Sequence, residues 1–269
     1  MTEEQLTQRK SMILKLVEEP AYVPMKLKEM AILLDVPKGQ REELKEVLEG
    51  ASRVFIVTDR FMHESGKVSY LTDPLEQMGI EYRIFSEVKP DPDLATITKG
   101  IDLMTEFKPQ VLLALGGGSP IDAAKAMNFL SDKAGLTEKC QFVAIPTTSG
   151  TGSEVSKFSV VSDPVHTAKY PLVDDELLPD AAILDAELVR TVPPSVTADT
   201  GIDVFTHALE AFVSTNANDF TDAAAEKAMK LVRSNLLKVY KNPDDLEARQ
   251  KMHHASCLAG MAFSNDGLG

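Results

Sequence analysis

The spacing of apolar positions changes character near residue 50. Over residues 1–50, three short amphipathic patterns, near Glu3 to Glu18, Lys26 to Leu34 and Gln40 to Leu48, are separated by EEPAYVP and DVPKG. Apolar residues three and four apart, interrupted by proline and glycine, predict short helices, so this segment reads as a small helical hairpin or winged-helix-like unit. From Val54 the pattern becomes apolar runs alternating with amphipathic stretches: VFIVTD, LTDPLEQMG, YRIFSEV, ITKGIDLMTEF, VLLALGGG, IDAAKAMNFL and FVAIPTT. Strands separated by helices of this length predict an α/β fold, a parallel sheet built from right-handed βαβ units. After LPDAAILDAELVRTVPP no further strand pattern occurs, and TADTGIDVFTHALEAFVS, TDAAAEKAMKLVRSNLLKVY and LEARQKMHHASCLAGMAF all read as helices. The expected organisation is therefore residues 1–50 helical, 51–189 a sheet domain and 190–269 all-helical, with a boundary near Arg190.

Composition narrows the classes. A chain of 269 residues, 43% hydrophobic and 26% charged, can bury one large core or two ordinary ones. Its formal charge of -13 opposes binding to a polyanion, which depends on Lys and Arg displacing counterions. The two cysteines, Cys140 and Cys257, sit in apolar surroundings and are expected to be reduced core thiols, which points to a cytoplasmic protein. The first twenty residues have no signal-peptide h-region, and no apolar run is long enough to span a bilayer.

Candidate chemistry lies at two strand ends and on one helix. In VLLALGGGSPIDAAKAM a buried strand enters a glycine turn and then a helix, which lets backbone N–H groups of Gly116, Gly117 and Gly118 approach a phosphate. Ser119 is expected to cap that helix, with Pro120 at its first position and Asp122 in its first turn. The turn is not a GxGxxG, and GGGS also suits a purely structural strand-to-helix turn. Asp59 ends VFIVTD, where a carboxylate either binds adenosine ribose hydroxyls and repels the extra phosphate of NADP, or caps the next helix. PTTSGTGSE follows the strand FVAI, and its Thr147, Thr148, Ser149 and Thr151 are either cofactor donors or ordinary turn residues. Asp203 and His207, four apart on a helix, share a face and can contact one divalent cation, although an isolated pair of this kind is more often a solvated contact. His63, His166, His253 and His254 read as helix-surface or interface residues.

Taken together, ALGGGSPIDAAKAM, IPTTSGTGSEVSKFSVVSD, KYPLVDDELLPDAAILD and TADTGIDVFTHALEAFVS resemble the successive signature blocks of the iron-containing, or group III, alcohol dehydrogenases. VFIVTDRFM and HHASCLAGMAFSN bring the resemblance nearest to bacterial propanol and ethanol dehydrogenases. The resemblance implies a Rossmann-like NAD-binding domain followed by a helical metal-binding domain. It also implies metal-assisted, reversible hydride transfer between a short primary alcohol and NAD. It places Asp59 at the adenosine ribose, Gly116, Gly117, Gly118 and Ser119 at the diphosphate, Thr147, Thr148 and Ser153 along the cofactor cleft, and Lys169 at the ribose region. Asp203 and His207 match the first two metal ligands, for iron(II) with zinc as the alternative.

The family's two further ligands are histidines downstream of the SNxGLG block, whereas this sequence ends at FSNDGLG, so the helical domain is expected to be incomplete. A cofactor-binding fragment without turnover is the competing expectation. Exposure of the apolar face of CLAGMAF, with homo-oligomers as its result, is expected to follow. Residues 1–50 instead resemble the N-terminal helical domain of ribonuclease R proteins, but their acidic side chains outnumber the basic ones, so nucleic acid is an unlikely partner.

Overall fold

The computed structural model describes residues 51–268, together with Leu44, Leu48 and Gly50. The chain divides into two compact units, Met1–Gly39 and Gln40–Gly269. The patterns at Glu3 to Glu18 and Lys26 to Leu34, and with them the likeness to ribonuclease R, lie outside the described residues. Leu44 and Leu48 are fully buried in a core on one face of the sheet, so the end of the 1–50 segment packs with the domain that was expected to begin at residue 51.

In chain order the elements are β1 (Arg53–Asp59), α1 (Arg60–Glu64), α2 (Ser69–Met78), β2 (Glu81–Val88), α3 (Leu94–Phe107), β3 (Val111–Gly116), α4 (Gly118–Lys133), β4 (Gln141–Pro146), β5 (Phe158–Asp163), β6 (Ala168–Val173), β7 (Ala181–Ala182), α5 (Ala186–Val189), α6 (Pro194–Phe212), α7 (Asp219–Lys241) and α8 (Leu246–Asp266). Five strands form one sheet in the order β2-β1-β3-β4-β7, and every neighbouring pair is parallel.

The central strands read as unbroken apolar runs because both of their faces are covered. Phe55, Val57, Leu112, Ala114, Phe142 and Ala144 face one way and share a core with Ile97 and Met104 of α3 and Ile121 and Met127 of α4. The alternate residues Val54, Ile56, Leu113, Leu115, Val143 and Ile145 pack with Leu71 and Leu75 of α2 and Leu188 of α5. Cutting one of these large side chains back to alanine is expected to cost about 2–5 kcal/mol.

β5 and β6 pair antiparallel in a separate two-stranded sheet. The apolar pattern does not identify this hairpin, because AKYPLV is largely exposed and carries a proline. After β7 the described chain is helical, and α6, α7 and α8 pack against one another. Asn218 forms a capping box at α7, and Asp245 accepts from Ala248 N at the start of α8. Cys140 and Cys257 are buried thiols, as expected. No helix among the described residues is long and apolar enough to cross a membrane.

Candidate functional site

The site is assembled at the carboxyl ends of β3 and β4. Gly117 occupies the N-cap of α4 and supplies no side-chain cap, so the first-turn N–H groups keep their donors directed outward. This corrects the expected helix start. Ser119 is the second helical residue rather than the cap, and its hydroxyl accepts from Asp91 N at 3.3 Å. Asp122 lies beyond the first turn, and its carboxylate accepts from Ser153 Oγ at 2.5 Å and Val160 N at 3.1 Å. Ser-Pro resembles a cap followed by a first helical position, but the preceding glycine already adopts the extended N-cap conformation.

The glycines are required by close packing. A Cβ on Gly116 would lie 2.4 Å from Pro120 Cγ, and one on Gly118 would lie 2.9 Å from Thr151 Cγ2. At Gly117 the nearest atom to such a Cβ would be Thr148 Oγ1, at 3.2 Å. The two candidate loops are thus packed side by side, tied by Thr147 N donating to Gly116 O at 2.9 Å. Lys169 reaches the rim through its ion pair with Asp91, at 2.8 Å, the residue whose N–H meets Ser119. At the end of the neighbouring strand, Asp59 Oδ1 accepts from Met62 N at 2.9 Å and caps α1.

The helical half closes on the same loop. Gly152 lies in the left-handed region at φ +63°, and a Cβ on it would come within 2.6 Å of Gly260 Cα. His253 of α8 is 0% exposed, with Nδ1 3.0 Å from Ser149 Oγ and Nε2 3.2 Å from Pro146 O. Because a carbonyl can only accept, Nε2 carries the proton and Nδ1 accepts from the serine. Burial pushes the imidazole pKa down to about 3, which keeps the ring neutral. Of the two readings, helix surface or interface, His253 takes the second, buried between α8 and the loop; His166 lies in the β5–β6 turn and pairs with Asp163 at 2.5 Å.

Sequence reasoning also missed a buried charged group beneath the loop. Lys125 is 1% exposed and Glu154 is 2% exposed. Burial drives the lysine pKa down to about 8 and the glutamate up to about 7. The signal was present in GGGSPIDAAK, where Asp122 and Lys125 stand one helical turn apart on a helix whose remaining face is apolar.

Asp203 and His207 do share a face of α6, with His207 Nε2 3.7 Å from Asp203 Oδ1. The imidazole packs on Phe263 at 5.1 Å between ring centroids, and its Nδ1 is buried without a partner. No group of three or more His, Cys, Asp or Glu side chains among the described residues could hold a metal. α6 reaches the loop after β4 one turn earlier, where a Cβ on Gly150 would meet Thr200 Cβ at 2.9 Å.

Comparison with known proteins decides the lineage. Residues 36–186 match the family model described as iron-containing alcohol dehydrogenase, and residues 197–269 match that of the Fe-containing alcohol dehydrogenase family, C-terminal. The chain belongs to the iron-containing alcohol dehydrogenase family. It is 51% identical over 217 residues to a 1-propanol dehydrogenase of Salmonella typhimurium, covering 80% of this chain and 58% of that one. With an NADPH-dependent butanol dehydrogenase of Clostridium saccharobutylicum it is 44% identical, covering 86% and 63%. Among solved structures, the iron-containing alcohol dehydrogenase of Thermococcus thioreducens superposes with a TM-score of 0.80 at 35% identity, covering 87% of this chain and 65% of that one. A sulfoacetaldehyde reductase from Bifidobacterium kashiwanohense, solved in complex with NAD+, gives the same TM-score at 34% identity, covering 86% and 65%. The chain therefore spans less than two thirds of these family members.

The residues present can be tested against the family's two prosthetic groups. A helix start with no side-chain cap, beside glycines whose Cβ atoms would have no room, fits a diphosphate. A carboxylate and an imidazole one helical turn apart, with His207 Nε2 3.7 Å from Asp203 Oδ1, offer two of the ligands a divalent cation would need.

Proposed function

We propose that this chain carries the NAD-binding region and part of the metal-binding region of an alcohol dehydrogenase that moves a hydride between a short primary alcohol and NAD, giving the aldehyde. The observation that carries the reading is the pairing of the glycine turn with the hydroxyl loop at adjacent strand ends, with α6 and its Asp203–His207 pair starting against that loop. Ligands of parallel α/β sheets bind at such carboxyl ends. Gly116, Gly117, Gly118 and Ser119 receive the diphosphate, Thr147, Thr148 and Ser153 line the cofactor cleft, and Asp59 and Lys169 face the ribose region. Asp59 can cap α1 with one carboxylate oxygen and meet a ribose with the other, so its two readings are compatible.

Asp203 and His207 would hold iron(II), or zinc in its place, and such a cation supplies Lewis-acid polarisation of the alcohol oxygen. The further ligands come from outside the described residues or from another chain, and a homo-oligomer is one source of them. A second reading, a cofactor-binding fragment without turnover, is favoured by the count of candidate ligands: two, where a catalytic metal needs more.

The deciding experiment supplies the purified chain anaerobically with iron(II), NAD and short primary alcohols, with a chelator control, and titrates NADH by fluorescence in parallel. Chelator-sensitive NADH formation supports the dehydrogenase reading. NADH binding without turnover supports the fragment, and absence of both refutes the cofactor site.

A further inference from the structure

Two charged side chains of α4 reach the hydroxyl loop from below. The Lys125 ammonium donates to Ser156 O at 2.7 Å, Phe158 O at 2.8 Å, and Ser153 Oγ and Ser156 Oγ, each at 3.2 Å. One turn earlier, Asp122 accepts from Ser153 Oγ and from Val160 N, and Asp122 O accepts from Ser159 Oγ at 2.9 Å. These bonds seize the segment 153–160 at five residues. They come from the helix whose own N-terminus forms the phosphate turn, and whose Gly118 abuts Thr151 of the same loop.

An all-apolar core would stabilise the fold without these charges, since buried ion pairs give weak net stability and strong geometric demands. Here the charges meet hydroxyls and a carbonyl of Ser153 and Ser156, which lie between β4 and β5 with only a single 3-10 turn at Ser153–Val155, and they also hold Phe158, Ser159 and Val160 at the start of β5, whose pairing with β6 lies outside the main sheet. Apolar packing can press this stretch down but cannot fix where it sits along α4; directional bonds to Ser153 and Ser156, and to Phe158 and Val160 where β5 begins, can.

We propose that Asp122 and Lys125 are positioning residues that fix the loop 147–156 relative to the glycine turn, so that both halves of the cofactor cradle are set by one helix. The inference rests on the cofactor reading above. It assigns no contact between these two side chains and the cofactor.

The test compares the 269-residue chain with Asp122→Asn, which keeps the shape and one neutral acceptor, with Lys125→Met, and with Lys133→Ala, which removes an exposed ion pair to Glu176 at the far end of the same helix. Hydrogen exchange of peptides covering 147–160, of β1 and of β3 is measured alongside NADH affinity. The expected result is exchange at least about tenfold faster in 147–160 for Asp122→Asn and Lys125→Met, with β1 and β3 as protected as in the parent. Those two variants should also bind NADH at least about tenfold more weakly, with Lys133→Ala unchanged in both measures.

Unchanged loop exchange in both variants overturns the proposal. So does faster exchange with an unchanged NADH affinity. If the loop and core lose protection together, or neither variant folds, the pair is a general structural element and the positioning role fails. If the parent does not bind NADH, the cofactor reading fails, and the exchange comparison alone decides whether the loop is held by α4.

Discussion

His253 shows how one side chain makes stability depend on pH. Its folded pKa is depressed to about 3 from the ordinary value of 6.5, so below 6.5 the unfolded chain takes up a proton that the folded chain refuses. Stability is complete above 6.5 and falls as pH drops toward 3, with a limiting slope of about 1.4 kcal/mol per unit. Denaturant unfolding at pH 6.5 and pH 5 should show a loss of roughly 2 kcal/mol attributable to this residue. In His253→Gln that increment should vanish, while stability at pH 7 falls by about 1–3 kcal/mol for the broken bonds to Ser149 and Pro146. An equal acid dependence in both proteins would show that the ring is not the group responsible. Asp59 allows a separate prediction. Asp59→Ser keeps an N-cap for α1 but removes the charge, so thermal stability should hold while the ratio of NADPH to NADH affinity rises roughly tenfold. Asp59, the glycines and the loop threonines could all be found in the sequence because they follow apolar strands; His253 could not, because KMHHASCLAG gives no sign of which histidine turns inward.

At the scale of elements, β1, β3 and β4 were legible from continuous apolar runs, β2 from the mixed run YRIFSEV, and α6 from its spacing of three and four. The hairpin of β5 and β6 was hidden because its residues are half-exposed and follow no clear alternation. The start of α4 was misplaced since Ser119 and Pro120 offer the local chemistry of a cap, and tertiary packing instead gives that place to Gly117. The apolar face of CLAGMAF, expected to be open, is covered: Cys257, Leu258, Ala259, Ala262 and Phe263 are all buried. Its packing depends on the meeting of Gly260 with Gly152. Gly260→Ala places a methyl group against backbone and should destabilise the chain by about 1–3 kcal/mol. NADH affinity should fall with it, as the displaced loop carries Thr147 and Thr148. A fully stable Gly260→Ala with parent-like affinity would mean that α8 shifts freely away from the loop.

At the scale of the molecule, the exposed apolar surface sits on α6 instead, where Ile202, Phe205, Leu209 and Phe212 are each more than a third exposed. They follow one another at intervals of three and four and form a stripe beside Asp203 and His207. Such a patch promotes association, so the chain should elute in size-exclusion chromatography as a concentration-dependent mixture. Ile202→Glu combined with Leu209→Glu should move it to the monomer position; a parent that is already monomeric at high concentration would remove the basis for this expectation. The shared face of Asp203 and His207 was legible from their spacing, while its surroundings were not: sequence gives no hint that Phe263 supports the imidazole of His207.

The attachment of the segment 146–160 on both sides also bears on how sheet and helices move. One side is bonded to α4 through Lys125 and Asp122, and the other to α8 through His253, the two glycines, and Lys157 N donating to Ser264 Oγ at 3.1 Å. A jaw-like opening between sheet and helices would have to tear one of these seams. The joint is built as a weld rather than a hinge, so sheet and helices are expected to move as one body.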